Sequence, residues 1–110
     1  MIATPPSKII VVFTSCPSEL SAITLSENII ENSLAACVKV IPNETSVYLW
    51  EGEIVKESES LMVIKTLESK FEELEHYISE NHDYDIPEIV ALSVEKANPR
   101  YMKWVEKCLS

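Results

Sequence analysis

Apolar runs and turn-forming residues alternate along the chain in an order that predicts the strands and helices of one small domain. The β-branched run over residues 9–13 is typical of a strand that is buried on both faces at the centre of a sheet. Pro17 ends this strand, and Ser18 is placed to cap a following helix over about residues 19–33. Two neighbouring apolar rows give that helix a broad packing face, with Ala22, Leu25 and Ile29 in one row and Ile23, Ile30 and Leu34 in the other.

The middle of the chain predicts an unusually long hairpin. Residues 37–50 form a second strand with a bulge or bend at Pro42, because proline cannot donate a hydrogen bond to the ladder. Glu51 and Gly52 are a two-residue turn signal, since glycine adopts a positive φ without strain. No Pro or Gly interrupts residues 53–66, so the third strand runs back along the whole length of the second.

Two further helices and a fourth strand complete the order. Ser69 and Glu72 match a capping box that begins a second helix. Residues 89–94 predict the fourth strand. An N-cap at Asn98 followed by Pro99 begins a third helix. The wide apolar face of this last helix consists of Tyr101, Trp104, Val105, Cys108 and Leu109, and we expect Cys108 to be part of the core.

The order βαββαβ followed by a helix predicts an α+β fold, a ferredoxin-like sandwich with a long β2–β3 hairpin and an extra C-terminal helix. Two helices cover one face of the sheet and leave the other face open. The open face, the projecting hairpin and the extra helix all need partners, and self-association is the simplest source. We expect one domain over residues 1–110, in which residues 1–7 form a disordered tail.

Composition excludes several classes of function. The chain has 110 residues, 18 of them acidic and 9 basic, and a formal net charge of −9. This charge disfavours nucleic acids and anionic membranes as partners. A single glycine excludes glycine-rich phosphate loops, and three widely spaced cysteines disfavour a disulfide framework or a structural zinc site. The start has no basic segment and residues 9–13 are too short to span a membrane, so we expect a cytoplasmic protein.

Several motifs occur in one order along nearly the whole chain: residues 34–38, 41–42, 46–52, 57–59 and 62–66, then His82, Tyr84, Pro87 and Glu88, and finally Tyr101 with Trp104. Together they resemble the CutA family of divalent-cation tolerance proteins. The resemblance implies a ferredoxin-like subunit in a homotrimer with no established reaction. It also implies a link to tolerance of copper and other divalent cations. No cofactor is required, although copper or another divalent cation is a possible ligand.

One candidate metal site lies in the loop after the second helix. His82 stands beside Asp83 and Asp85, and an imidazole with carboxylates suits a borderline cation such as copper or zinc. Cys16 is a fourth candidate ligand, more exposed than the other thiols. The alternative is that His82 only caps the end of the second helix. Thr14 stands where some bacterial members have a proposed ligand cysteine, so we expect weak binding centred on His82.

A second candidate site is a cleft between subunits, lined by Cys37, Tyr48, Trp50, Glu59, Lys65, Tyr84 and Glu88. Trp50, close to the hairpin tip, is either an intersubunit anchor or a cross-strand packing residue. Lys65 interrupts an apolar strand, so we expect it to pair with Glu59 or Glu88. Cys37 is either a small buried hydrophobic residue or a thiolate ligand.

The leading functional prediction is a non-catalytic homotrimer in divalent-cation tolerance that binds metal ions weakly. The alternative is a trimeric signalling or scaffold protein, similar in fold to the nitrogen-regulatory proteins, that binds a small effector or a partner protein in the clefts between subunits. An acylphosphatase-type enzyme needs an arginine near the first strand, but the only arginine is Arg100 in the last helix. An RNA-binding sheet needs basic residues, which the net charge of −9 opposes.

Overall fold

A computed structural model describes residues 7–110. Within this range the elements follow the predicted order: β1 Ile9–Cys16, α1 Glu19–Glu31, β2 Cys37–Trp50, β3 Glu53–Leu67, α2 Phe71–Asn81, β4 Val90–Ser93 and α3 Pro99–Cys108. The four strands form one antiparallel sheet in the order β2–β3–β1–β4, which confirms the ferredoxin-like arrangement. The predicted tail, residues 1–7, lies outside the described residues except for Ser7, whose hydroxyl oxygen accepts a hydrogen bond from the Ser69 amide at 2.9 Å.

The main core lies between one face of the sheet and the two helices α1 and α2. Side chains on alternate positions of β1 and β3 meet side chains from both helices there, and the fully buried members include Val12, Ile29, Met62, Ile64, Leu74 and Ile78. Each such aliphatic side chain stabilises the fold by about 1.5–3 kcal/mol. The two apolar rows predicted for α1 are not equally buried. Ala22, Leu25 and Ile29 are buried as expected, whereas Ile23 and Ile30 are exposed because α1 turns that flank away from the sheet.

The opposite face of the sheet is mostly open. Val11 and Phe13 of β1 point to it and are only half-buried, so burial on both faces is found at Ile9, which α3 covers, but not in the middle of the strand. Helix α3 covers one end of this open face, where Val105 and Leu109 pack against Ile9 and other residues. The apolar face of α3 is wider than the surface of the subunit that it packs against. Trp104 and Cys108 are therefore exposed, which corrects the assignment of Cys108 to the core.

The β2–β3 hairpin gives the molecule its elongated shape, with extents of 57 × 25 × 24 Å. The pairing register shifts between Ile41 and Glu44, which confirms the bulge predicted at Pro42. At the tip, Glu51 and Gly52 have φ values of 49° and 82°, as a two-residue hairpin turn of type I′ requires.

Two helix starts test the capping signals. Ser18 accepts a hydrogen bond from the Ser21 amide and the Ser21 side chain bonds back to the Ser18 amide, so the predicted cap is confirmed and completed as a box. The box predicted at Ser69 and Glu72 is wrong. Ser69 lies in a short 3₁₀ turn before α2, because the backbone amide of Ser69 is already bonded to the Ser7 hydroxyl.

These two serines make a matched pair for a stability measurement. We expect Ser18→Ala to lower the free energy of unfolding by about 1 kcal/mol, because the Ser21 amide at the start of α1 loses its hydrogen-bond acceptor. Ser69→Ala removes no helix cap and should change it by about 0.5 kcal/mol or less. Urea denaturation at one fixed protein concentration measures both. Equal losses in the two variants would show that the cap at Ser18 is not a stabilising feature.

Candidate functional site: an acidic groove beside the hairpin

An open groove runs between the hairpin and the loop that joins α2 to β4. Its volume is about 1130 Å³. The hairpin lines one side and the loop lines the other, with Glu44, Ser46, Val47, Tyr48, Trp50, Val55, Glu57 and Glu59 from the hairpin, Asp83, Tyr84, Asp85, Ile86 and Glu88 from the loop, and Ser15 from β1. The fold therefore joins residues that are up to about seventy positions apart in the sequence, as expected of a site built on antiparallel neighbours.

The groove is strongly acidic. Six carboxylates line it, those of Glu44, Glu57, Glu59, Asp83, Asp85 and Glu88, and none of the lining residues within the described range is basic. Like charges gathered against a protein wall raise the local concentration of cations. The chemistry of the groove therefore favours a cationic ligand and disfavours a phosphate or another anion.

The innermost polar contact of the groove joins Tyr84 to Glu59. The Tyr84 hydroxyl donates a hydrogen bond to Glu59 Oε2 at 2.7 Å, and the Glu59 side chain is only 9% exposed. Burial raises the pKa of the Tyr84 phenol, and the hydrogen bond to Glu59 together with the negative carboxylates nearby raises it further. The phenol therefore stays protonated at neutral pH and remains the donor that holds the loop onto the hairpin.

His82 anchors the other side of the same loop. Its Nε2 lies 2.9 Å from the Ser15 carbonyl oxygen and its Nδ1 lies 3.0 Å from the Tyr84 amide nitrogen. A carbonyl accepts and an amide donates, so the ring carries its proton on Nε2 and offers a lone pair on Nδ1. His82 is also the C-cap residue of α2, as the alternative interpretation of this residue proposed. Giving up both hydrogen bonds would cost roughly 1–3 kcal/mol.

Cys16 lies behind the groove, on the helix-facing side of the sheet. It is 2% exposed, so the expectation that it is the more accessible thiol is wrong. Its Sγ lies 3.5 Å from Met62 Sδ and 3.7 Å from His82 Nε2. Burial raises the pKa of the Cys16 thiol to about 11, and the nearby negative charge of Asp83 adds to the effect. Without a bound cation, Cys16 is therefore a thiol at neutral pH.

The predicted metal ligands do not converge in the subunit. Asp83 and Asp85 line the groove, whereas the His82 ring is turned toward β1 and Cys16 is buried behind it. Within residues 7–110, no three side chains of His, Cys, Asp and Glu are grouped so as to hold one metal ion. The site centred on His82 is thus not formed by one copy of the chain.

Five of the seven predicted cleft residues line the groove, namely Tyr48, Trp50, Glu59, Tyr84 and Glu88. Cys37 and Lys65 do not. They face each other across the β2–β3 ladder, and the Lys65 ammonium lies over the Tyr101 ring at 5.4 Å from its centroid. The predicted pairing of Lys65 with Glu59 or Glu88 is therefore wrong in the subunit, because α3 brings an aromatic ring to this lysine instead.

Sequence reasoning missed several groove residues and one close neighbour of Cys16. Glu44 and Ile86 line the groove although no motif singled them out, and Glu57 lines it although it was named only within a motif and not as a site residue. Counting the hairpin register outward from Gly52 would have placed Glu44 opposite Glu59 and Glu57 two positions further along the same face. Met62 lacked any such signal, because it resembles every other apolar residue of its strand.

Within the described residues, no helix is long and apolar enough to cross a membrane.

Comparisons with known proteins agree with this architecture. The family model described as CutA1 divalent ion tolerance protein matches residues 10–108. The divalent-cation tolerance protein CutA of Thermus thermophilus is 39% identical over 97 residues, which are 88% of this chain and 94% of that protein. Protein CutA of Mus musculus is 40% identical over 102 residues, 93% of this chain. This chain spans only 58% of the mouse protein and 53% of the chloroplastic CutA of Arabidopsis thaliana.

Solved structures extend the agreement to the backbone. The crystal structure of CutA1 from Oryza sativa superposes with a TM-score of 0.93 at 36% identity and covers 96% of each chain. The CutA1 structure from Thermus thermophilus gives a TM-score of 0.89 at 37% identity, over 93% of this chain and 99% of that one. A further similar structure, from Archaeoglobus fulgidus, is described as periplasmic, so these relatives occupy more than one compartment.

The family model and the Thermus thermophilus relative are named for tolerance of divalent cations and not for a reaction. The family match covers both strands of the hairpin, the loop that closes the groove and all of α3. This chain belongs to the CutA1 family of divalent ion tolerance proteins.

Proposed function

We propose that the chain is the subunit of a non-catalytic, cytoplasmic homotrimer that acts in divalent-cation tolerance and binds divalent cations weakly. The observation that supports this role best is the acidic groove, in which six carboxylates and no basic side chain of the described range line an open space of about 1130 Å³. The family name indicates the process, tolerance of divalent ions, and the carboxylates of the groove have the negative charge that attracts such ions.

The exposed apolar surface supports self-association. Ile41, Val90 and Leu92 are exposed on the open face of the sheet, and Leu49, Trp50 and Ile54 are exposed on the projecting half of the hairpin. Apolar side chains gathered in this way on a soluble protein mark an interface. A hairpin that projects from one copy and packs on the open face of the next forms a head-to-tail contact, which closes into a ring. A ring of three covers both surfaces in every copy.

Weak cation binding follows from the type and arrangement of the ligands. Carboxylate oxygens suit hard divalent cations, which need six or more oxygen ligands for tight binding. Asp83, Asp85 and Glu88 lie on the loop and the other three carboxylates lie across the groove, so one copy offers too few ligands around any point within the described residues. Because both nitrogens of His82 already have partners, we place the cation on the carboxylates and not on the imidazole. The protein requires no cofactor for this role.

One observation favours the alternative, a trimeric signalling or scaffold protein that binds a small effector or a partner protein in its intersubunit clefts. Tyr48, Trp50 and Tyr84 line the same groove as the carboxylates. Carboxylates attract a metal ion and an organic cation alike, and the aromatic faces beside them add an attraction for the organic cation. Isothermal titration with amines and with metal salts separates the two functions, because amines use the aromatic faces and metal ions do not.

The oligomeric state tests the proposed assembly. We expect sedimentation equilibrium at micromolar concentration to give three times the subunit mass of 12.4 kDa. Trp50→Ala should weaken assembly by roughly 2 kcal/mol or more, as loss of an aromatic anchor does. Leu20→Ala is the control, because Leu20 is 74% exposed on α1 and Trp50 is 62% exposed on the hairpin. A monomer of 12.4 kDa, or equal effects of the two variants, would contradict the proposal.

The groove carboxylates are tested by their affinity for Mn(II), a cation that prefers oxygen ligands. We expect the double variant Asp83→Asn/Asp85→Asn to bind Mn(II) at least about tenfold more weakly, a change of about 1.4 kcal/mol. Electron paramagnetic resonance of free Mn(II) measures this loss. Glu27→Gln/Glu31→Gln removes the same charge from α1 and should leave the affinity nearly unchanged. An equal loss in the control would mean that net charge alone attracts the cation.

A further inference from the structure

We propose that the outer flank of α1 is a docking surface for a basic amphipathic helix of a partner protein. The surface, which we call the α1 seam, consists of Leu20, Ile23, Glu27 and Ile30. None of these residues lines the acidic groove, and none belongs to the open face of the sheet or to the hairpin. The interaction therefore goes beyond the proposed function and does not depend on cation binding.

The apolar residues of the seam are exposed because α1 turns another face to the core. Four side chains of the helix are buried: Ala22, Leu25, Ser26 and Ile29. On the seam, Leu20 is 74% exposed, and Ile23 and Ile30 are 38% and 42% exposed. The helix thus keeps a second apolar row that the subunit leaves open to solvent.

The spacing of the seam is that of one helix of a coiled coil. Its four residues stand at i, i+3, i+7 and i+10, which are successive a and d positions of heptads. Such a stripe packs along its length against a second helix, whose a and d side chains fit between its own. The 13 residues of α1 rise about 20 Å, so the seam covers about two heptads. This shape fits a helix better than it fits an extended segment or a small molecule.

The charges of α1 decide which helix fits. Its only charged residues are Glu19, Glu27 and Glu31, and all three are exposed. In the register of the seam, Glu27 occupies an a position, while Glu19 and Glu31 occupy the g and e positions that border the stripe. Charges at e and g set the choice of partner in coiled coils, and a polar residue at a single a position fixes the register. A helix with lysine or arginine opposite these carboxylates is therefore the preferred partner.

The same charges disfavour the other occupants of an apolar helix face. A second copy of the chain would bring its own α1 glutamates against those of the first, and like charges across an interface oppose binding. An anionic membrane is repelled for the same reason. The neighbouring helix α2 strengthens this effect, because it also has glutamates and no lysine or arginine. Since the seam offers only three apolar side chains, we expect a small contact area and a weak, reversible complex.

The probe is a synthetic helical peptide of about three heptads with apolar residues at a and d and lysine at e, g and the central a position. A matched peptide has glutamate in place of every lysine. Fluorescence anisotropy measures the binding of each labelled peptide to the intact protein. We expect saturable binding of the basic peptide, shifts of the Leu20 and Ile30 amide resonances on binding, and at least about tenfold weaker binding of the acidic peptide.

Glu27→Lys is the sharpest variant, because it reverses the charge in the middle of the seam. It should weaken the basic peptide at least about tenfold and strengthen the acidic one. Leu20→Ser should weaken the basic peptide without this exchange of preference. Glu95→Lys is the matched control, since it makes the same change of charge at an exposed residue beyond β4. It should change neither affinity by more than about twofold, because salt screens exposed charges that lie outside the contact.

Absence of saturable binding of the basic peptide would overturn the proposal. Equal losses in Glu27→Lys and Glu95→Lys would overturn it too, since net charge alone would then explain the attraction. Assemblies larger than a trimer that disappear in Leu20→Ser would assign the seam to a second copy instead. Binding to vesicles of anionic lipid that is lost in the same variant would assign it to a membrane. None of these results affects the proposed trimer or Mn(II) binding, which use other residues.

Discussion

The pairing of β1 with β3 is the constraint on which the rest of the structure depends. Eight residue pairs, from Ile9 with Leu67 to Cys16 with Ser60, hold these central strands in one register. Since successive side chains alternate between faces, this register decides which residues meet the helices and which meet solvent. It directs Met62 and Cys16 toward the helices and Glu59 toward the groove. His82 reaches the end of β1 from α2 and ties the two sides together.

Local signals were enough to predict the fold. The β-branched run of β1, the serine cap of α1 and the two-residue hairpin turn each act over a few residues, and each is present as expected. Where prediction failed, a distant segment changed the local outcome. Ser69 does not cap α2, and its amide bonds to Ser7 instead. The Lys65 ammonium lies over the ring of Tyr101, which belongs to the C-terminal helix α3.

The candidate site was only half predictable for the same physical reason. The resemblance identified the aromatic residues of the groove and part of its acidic residues, but not that Cys16 lies behind it or that Met62 touches Cys16. Those facts depend on a face of the sheet and on a diagonal distance between strands, which a pattern of apolar residues does not encode. A buried methionine looks alike in sequence whether it only fills space or also offers a sulfur to a neighbour.

The bulge at Pro42 has a consequence for how the hairpin is able to change in length. Ile41 pairs with Leu61 and Glu44 with Glu59, so β2 uses three steps where β3 uses two. Because of that one extra residue, the side chains of β2 beyond the bulge point to the opposite face from the one that strict alternation after Ile41 would give. Tyr48 and Glu44 therefore line the groove together with Glu59. Removing that extra residue would set two steps of β2 against two steps of β3, so Glu44 would still pair with Glu59 and the groove residues would keep their face. The bulge is therefore the one place in β2 where the hairpin accommodates a single deletion without disturbing the groove, whereas a single deletion in the paired part of the projecting half would turn the residues beyond it to the opposite face.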